Sequence, residues 1–227
     1  MSINSSDVKI DVSGKLLNLY RALPATGGPG VLVLPAWWGL NSFFKQVCDR
    51  LAASGYTAIA PDYYDGRVGT SIEETKILQQ KVESDFDSMR VAIKAAKDYL
   101  AALRSGEPIA VIGFSMGTDW AIITAANEAD VAATVLFYGG WTADFSQMKS
   151  KVIGHYAETD EWVPFDQILE MESSMKSAGV DVTLHRYPKT AHWFMESDRP
   201  EYDHTAATIA WERTLEFLAQ MLAKPLV

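Results

Sequence analysis

At 227 residues, with 48% hydrophobic and 22% charged side chains, the chain can bury one core without disulfides or metals and is expected to fold as a single α/β domain over residues 1–227. A net charge of −9 argues against nucleic acid or an anionic membrane surface as a partner, because both attract basic faces. The single cysteine, Cys48, excludes an intrachain disulfide, and a polar N-terminus with no apolar run of membrane-spanning length sets the expectation of a cytoplasmic protein.

Val8 to Val12 and Leu16 to Ala22 alternate in polarity around Ser13-Gly14, which predicts a hairpin. Val31 to Leu34 is a buried strand ended by Pro35, and the loop Ala36-Trp37-Trp38-Gly39-Leu40-Asn41-Ser42 follows it. A helix runs from about Ser42 to Ser54, with Phe44, Val47, Cys48 and Leu51 at helical spacing and Gly55 as its C-terminal cap. The place of Cys48 in that stripe marks it as a buried thiol. Tyr56 to Ala60 is the next strand. From Ser71 to Leu103 an apolar stripe of Leu78, Val82, Phe86, Met89, Ile93, Ala96, Leu100 and Leu103 predicts a long helix, with room for one break.

Ile109 to Ile112 is a short buried strand that leads straight into Gly113-Phe114-Ser115-Met116-Gly117, and a helix follows from Asp119 to Ala126. Strand, Gly-x-Ser-x-Gly and helix in succession are the context of a nucleophile elbow. The turn is so tight that its flanking residues must be very small, and it holds the Ser115 hydroxyl out beside a helix N-terminus. Further strands are predicted at Ala133 to Tyr138, Lys151 to Tyr156 and Val180 to Tyr187, with helices at Phe165 to Ser177 and Thr205 to Leu222. Strands alternating with helices imply right-handed crossovers and a mostly parallel sheet with helices on both faces.

A nucleophilic serine needs a base, and the base needs an orienting acid. Catalytic groups of open parallel sheets gather beyond the C-terminal strand ends, and two such ends carry the required chemistry. Asp160 follows the strand ending near Tyr156, and His192 follows the strand ending near Tyr187. The order Ser115, Asp160, His192 is the chain order of α/β-hydrolase triads. Glu158 and Glu161 flank Asp160 as alternative orienters, while His155 and His185 fall inside strands and read as structural. No His or Cys spacing suggests a metal, and no phosphate loop or dinucleotide fingerprint suggests a cofactor. Trp37, Trp38, Trp141, Trp162 and Trp193 all fall in loops at C-terminal strand ends, where they are expected to wall a substrate pocket.

These pieces resemble the dienelactone hydrolase family of α/β hydrolases, from about Pro29 to Leu222. The resemblance is carried by Trp37 to Asn41, Gly55-Tyr56, Pro61 to Tyr64, the elbow, Phe137-Tyr138-Gly139, Asp160 to Pro164, Tyr187 with His192-Trp193-Phe194, and Trp211 to Leu218. It implies an eight-stranded sheet without a large lid, the same three residues as nucleophile, acid and base, and an oxyanion hole formed by the backbone N–H groups of Met116 and Trp37. Tyr138 joins the expected pocket residues. Familiar members carry Cys where this chain has Ser115, and many carry Glu where it has Ala36; a serine hydroxyl can be activated by His alone. The dienelactone enzymes also hold the substrate carboxylate with an Arg four residues after the His, where this chain has Glu196. An inward Glu196 would repel an anionic substrate, so neutral esters or uncharged lactones are expected instead.

The sequence thus points to a serine esterase or lactonase that acts on a small-molecule ester through an acyl-enzyme, without cofactor, as a monomer or homodimer. The alternatives are a thioesterase or acyltransferase using the same triad, or a ligand-binding receptor on a hydrolase scaffold.

Overall fold

The computed structural model describes residues 2–104 and 106–222. By its contacts the chain divides into two compact units, Met1–Pro108 and Ile109–Val227. The first is built on β1 (Ile3–Val12), β2 (Lys15–Pro24), β3 (Gly30–Leu34) and β4 (Thr57–Pro61), with α1 (Ser42–Ala53), α2 (Ile72–Glu83) and α3 (Phe86–Leu103). β1 and β2 form the expected hairpin, longer than the alternation alone indicates. Ser13 and Gly14 both take positive φ, 54° and 83°, as a two-residue hairpin turn requires. β2 runs antiparallel to β4, and β4 runs parallel to β3. β3 and β4 are buried at every position, which is why they read as largely apolar runs, with Thr57 the one polar side chain.

Asn41 caps α1 by accepting the Phe44 N–H at 3.2 Å, a contact worth about 1 kcal/mol. The helix buries Phe44, Val47, Cys48 and Leu51, as its spacing predicts. The long stripe after Ser71 is two helices, and the break falls at Ser84 and Asp85. The Ser84 hydroxyl donates to the Lys81 carbonyl at 2.8 Å, and Asp85 leaves helical geometry at φ −130°, ψ 48°. Short polar side chains that bond to nearby backbone offer it this alternative to a continuous helix. Phe86, just past the break, is 43% exposed, whereas Leu78, Val82, Ile93, Ala96 and Leu100 stay buried.

The second unit carries β5 (Ile109–Phe114), α4 (Met116–Asn127), β6 (Val131–Phe137), β7 (Lys151–Ala157), α5 (Phe165–Ser177), β8 (Val182–Tyr187) and α6 (His204–Leu222). Its four strands are all parallel and pair in sequence order. α4 packs on β5 and β6, α5 on β8, and α6 on β5, β6 and β7. Every residue of β5 is buried, and successive residues face opposite sides, so both faces of that strand are covered. α4 begins at Met116, earlier than the pattern suggests, because Ser115 itself is its N-cap residue. Among the described residues there are eight strands, four in each unit, and most of their pairings are parallel, the class expected of an α/β hydrolase. Among the described residues there is no large lid, and no helix is long and apolar enough to cross a membrane.

Candidate active site

Ser115 sits directly after β5, at φ 49° and ψ −119°. A non-glycine residue held at positive φ costs on the order of 1–3 kcal/mol and persists only where its surroundings impose it. Here the Ser115 N–H donates to the Phe137 carbonyl at 2.9 Å. Its own carbonyl accepts the Thr118 N–H at 2.8 Å and the Thr118 hydroxyl at 2.6 Å. Two glycines make the space. A Cβ on Gly113 would lie 2.4 Å from the Gly117 carbonyl oxygen, and one on Gly139 would lie 2.6 Å from that of Ser115. The flanking glycine in the sequence pattern therefore has a concrete cause: α4 starts against the backbone of β5.

His192 lies beyond the end of β8 and Asp160 beyond the end of β7. Ser115 Oγ is 2.9 Å from His192 Nε2, and His192 Nδ1 is 2.7 Å from Asp160 Oδ2. A carboxylate only accepts, so Nδ1 carries the proton and Nε2 is left as acceptor for the serine hydroxyl. The other oxygen of Asp160 accepts the N–H groups of Trp162 and Val163, each at 2.9 Å, which holds the carboxylate in place. Glu158 instead accepts the Lys189 N–H at 2.8 Å, and Glu161 is exposed. His155 is buried between Tyr187 and Thr214, at 2.8 and 3.1 Å, and burial holds it well below the usual imidazole range.

The His192 ring is held on two sides, by Tyr138 at 5.0 Å and Trp193 at 4.8 Å between ring centroids. Both residues have positive φ, 42° and 65°, so with Ser115 three of the strained non-glycine positions converge on one imidazole. This placement corrects the sequence expectation for Glu196. It is fully buried, accepts the Tyr138 hydroxyl at 2.9 Å on Oε1, and does not line the cavity beside Ser115. The loop closes on itself here, with the Glu196 N–H bound to the Trp193 carbonyl at 2.8 Å, which turns the side chain inward. Burial pushes the carboxyl up to about 8. Tyr138 and Trp193 likewise serve as packing under the imidazole rather than as walls of that cavity.

The cavity has a volume of about 470 Å³ and is bounded by Ser115, Met116 and Asp119, by Gly139 to Thr142 after β6, and by Trp162, Val163 and Gln167. Of the five tryptophans, Trp141 and Trp162 are its exposed walls, each 46% accessible. Trp37 and Trp38, with Ala36, are buried in the β3 loop of the first unit. Asp119, Thr142 and Gln167 were not singled out from the sequence. Asp119 had a signal, since it stands four residues after the elbow serine on a helix. Among the described residues no cluster of His, Cys, Asp and Glu is arranged to hold a metal ion.

The family model described as the dienelactone hydrolase family matches residues 17–222 of this chain. The protein named usf of Aquifex pyrophilus is 32% identical over 226 residues, covering 95% of this chain and 98% of its own. A provisionally named carboxymethylenebutenolidase of Aquifex aeolicus (strain VF5) is 29% identical over the same length, with the same coverage. Among solved structures, a dienelactone-hydrolase-like promiscuous phosphotriesterase from metagenomic libraries superposes with a TM-score of 0.87 over 98% of this chain and 100% of that one. At 23% identity that likeness is one of fold.

Proposed function

Since this chain belongs to the dienelactone hydrolase family and is a carboxylic ester hydrolase, we propose that it cleaves an ester or lactone through an acyl-enzyme on Ser115. The observation that carries the reading is the unbroken relay from Ser115 Oγ to His192 to Asp160, at 2.9 and 2.7 Å. Ser115 Oγ attacks the carbonyl carbon as its proton passes to His192 Nε2. The imidazolium that forms is stabilised by Asp160, which also keeps the ring in its productive tautomer. Collapse of the tetrahedral intermediate breaks the ester C–O bond, and His192 returns the proton to the departing alkoxide. Water then attacks the acyl-enzyme with His192 again as base, and the acid leaves while Ser115 regains its proton.

The intermediate's oxyanion needs donors where its charge develops, each worth about 3–4 kcal/mol. Met116 is the first residue of α4, where backbone N–H groups have no acceptor within the helix. The reading takes the Met116 N–H as one donor and the Trp37 N–H as the second, the latter on family resemblance alone. All three side chains of the relay belong to one chain, so a monomer or a homodimer would serve equally, and the whole of residues 1–227 is proposed to act as a single domain. Purified protein is expected to hydrolyse short-chain aryl esters or uncharged lactones, and Ser115→Ala and His192→Ala should each lower kcat by roughly 10⁴–10⁶. A Ser115→Ala protein that kept more than a few per cent of the rate would exclude this mechanism.

A further inference from the structure

We propose that the cavity beside Ser115 recognises an ester bearing a positive charge, with Asp119 as the specificity-determining residue. The inference rests on the reading of Ser115 as the nucleophile and adds the class of substrate. Ser115 caps α4 and Asp119 stands one turn further on, and both line the same cavity. A group held at the serine therefore shares its cavity with the Asp119 carboxyl.

Asp119 is the one charged residue among the described residues lining that cavity. Its own partners do not satisfy it. Thr118 Oγ1 stands 3.5 Å from Oδ1, and that hydroxyl already donates to the Ser115 carbonyl at 2.6 Å. No described cation pairs with it. Burial pushes the carboxyl up to about 7, the behaviour of an acid short of a counterion. Trp141 and Trp162 line the same cavity, each 46% exposed. A carboxylate and two indoles lining one cavity are side chains that suit an ammonium or quaternary ammonium group, which gains where it meets the negative face of a ring. An anionic ester would meet repulsion from the same carboxylate. The chain's net charge of −9 favours approach of a cation as well.

The test compares a choline ester with the 3,3-dimethylbutyl ester of the same acid, its uncharged isostere. Wild-type kcat/KM should favour the choline ester by about tenfold, mainly through KM, within the range of cation–π and carboxylate contacts at partly open sites. Asp119→Asn should lower the ratio several-fold. A wild-type ratio near one, or a ratio that Asp119→Asn leaves unchanged, overturns the proposal. Calorimetric titration of choline and of 3,3-dimethylbutan-1-ol into Ser115→Ala protein reads the same preference without turnover. Tighter choline binding there, weakened when Asp119→Asn is added, supports the cation site even if neither ester is hydrolysed, and the nucleophile reading stands or falls separately on the aryl-ester activity of Ser115→Ala. Equal affinities overturn the cation site.

Discussion

The hydroxyl of Tyr138, whose ring packs on His192, donates to Oε1 of Glu196 at 2.9 Å, and both side chains are fully buried. Glu196 Oε2 has no hydrogen-bond partner among the described residues. A carboxylate left so poorly solvated is costlier than a carboxylic acid, so burial pushes this group from 4.5 up to about 8. The folded protein therefore holds a proton on Glu196 across a pH range in which the unfolded chain has released it. Native protein binding more protons than unfolded means that stability falls as pH rises through that window, and is full only below it. At about 1.4 kcal/mol per pH unit the upper bound is about 5 kcal/mol, and relaxation leaves an expected loss on the order of 3 kcal/mol between pH 5 and 8.

Glu196→Gln isolates that contribution. Asp62, Asp119 and Asp198 are also raised and act with the same sign, so wild type retains a slope from them. Urea unfolding at pH 5, 6.5 and 8 should show a clearly shallower decline for Glu196→Gln than for wild type. Parallel curves would mean that Glu196 titrates alike in both states, and the buried-acid account would be wrong.

Asp160→Asn is expected to lower kcat by roughly 10²–10⁴ with little change in KM. The oxygen of the amide would stay with the Trp162 and Val163 N–H groups, which need an acceptor. The amide nitrogen would then face His192 Nδ1 and drive the ring to the tautomer whose Nε2 carries the proton. That imidazole cannot take a proton from Ser115. Steady-state kinetics at one pH decides the point: near-wild-type kcat in Asp160→Asn would remove Asp160 from its role as orienter.

Gly113→Ala should destabilise the protein by roughly 2–5 kcal/mol in chemical denaturation. Its Cβ would fall 2.4 Å from the Gly117 carbonyl oxygen and 2.6 Å from Thr118 Cα, both backbone and neither able to swing aside. Stability within 0.5 kcal/mol of wild type would show that the elbow has slack that this geometry denies.

Although the chain divides into units Met1–Pro108 and Ile109–Val227 by contacts, one cooperative thermal transition is expected, with equal calorimetric and van't Hoff enthalpies. Two resolved transitions would separate the units into independent domains.

Strand and helix order was legible because β3, β4 and β5 are largely apolar runs and α1 carries a clean stripe capped by Asn41. The elbow was legible because backbone contacts demand glycine at Gly113, and Asp160 and His192 because parallel strands deliver their loops to one edge. The fate of Glu196 was hidden. Whether a loop carboxyl faces a cavity or the core depends on the turn closed by Trp193 and on a tyrosine 58 positions earlier, and neither leaves a periodic mark. The tryptophans were legible as a group but not singly, since an indole in a loop packs inward or outward according to contacts between distant segments. Asp119 looked like an ordinary first-turn acid until the cavity wall around it was seen. The break at Ser84 was only allowed for, because two polar residues within a stripe do not by themselves end a helix.

The central claim is that Ser115 becomes covalently acylated, and the most direct measurement is peptide mapping by mass spectrometry after reaction with a fluorophosphonate, a mimic of the tetrahedral intermediate. One adduct is expected, on the peptide that contains Ser115. It should be absent from Ser115→Ala and form far more slowly in His192→Ala. An adduct confined to another residue, or ester turnover that persists with Ser115 unmodified, would contradict the account.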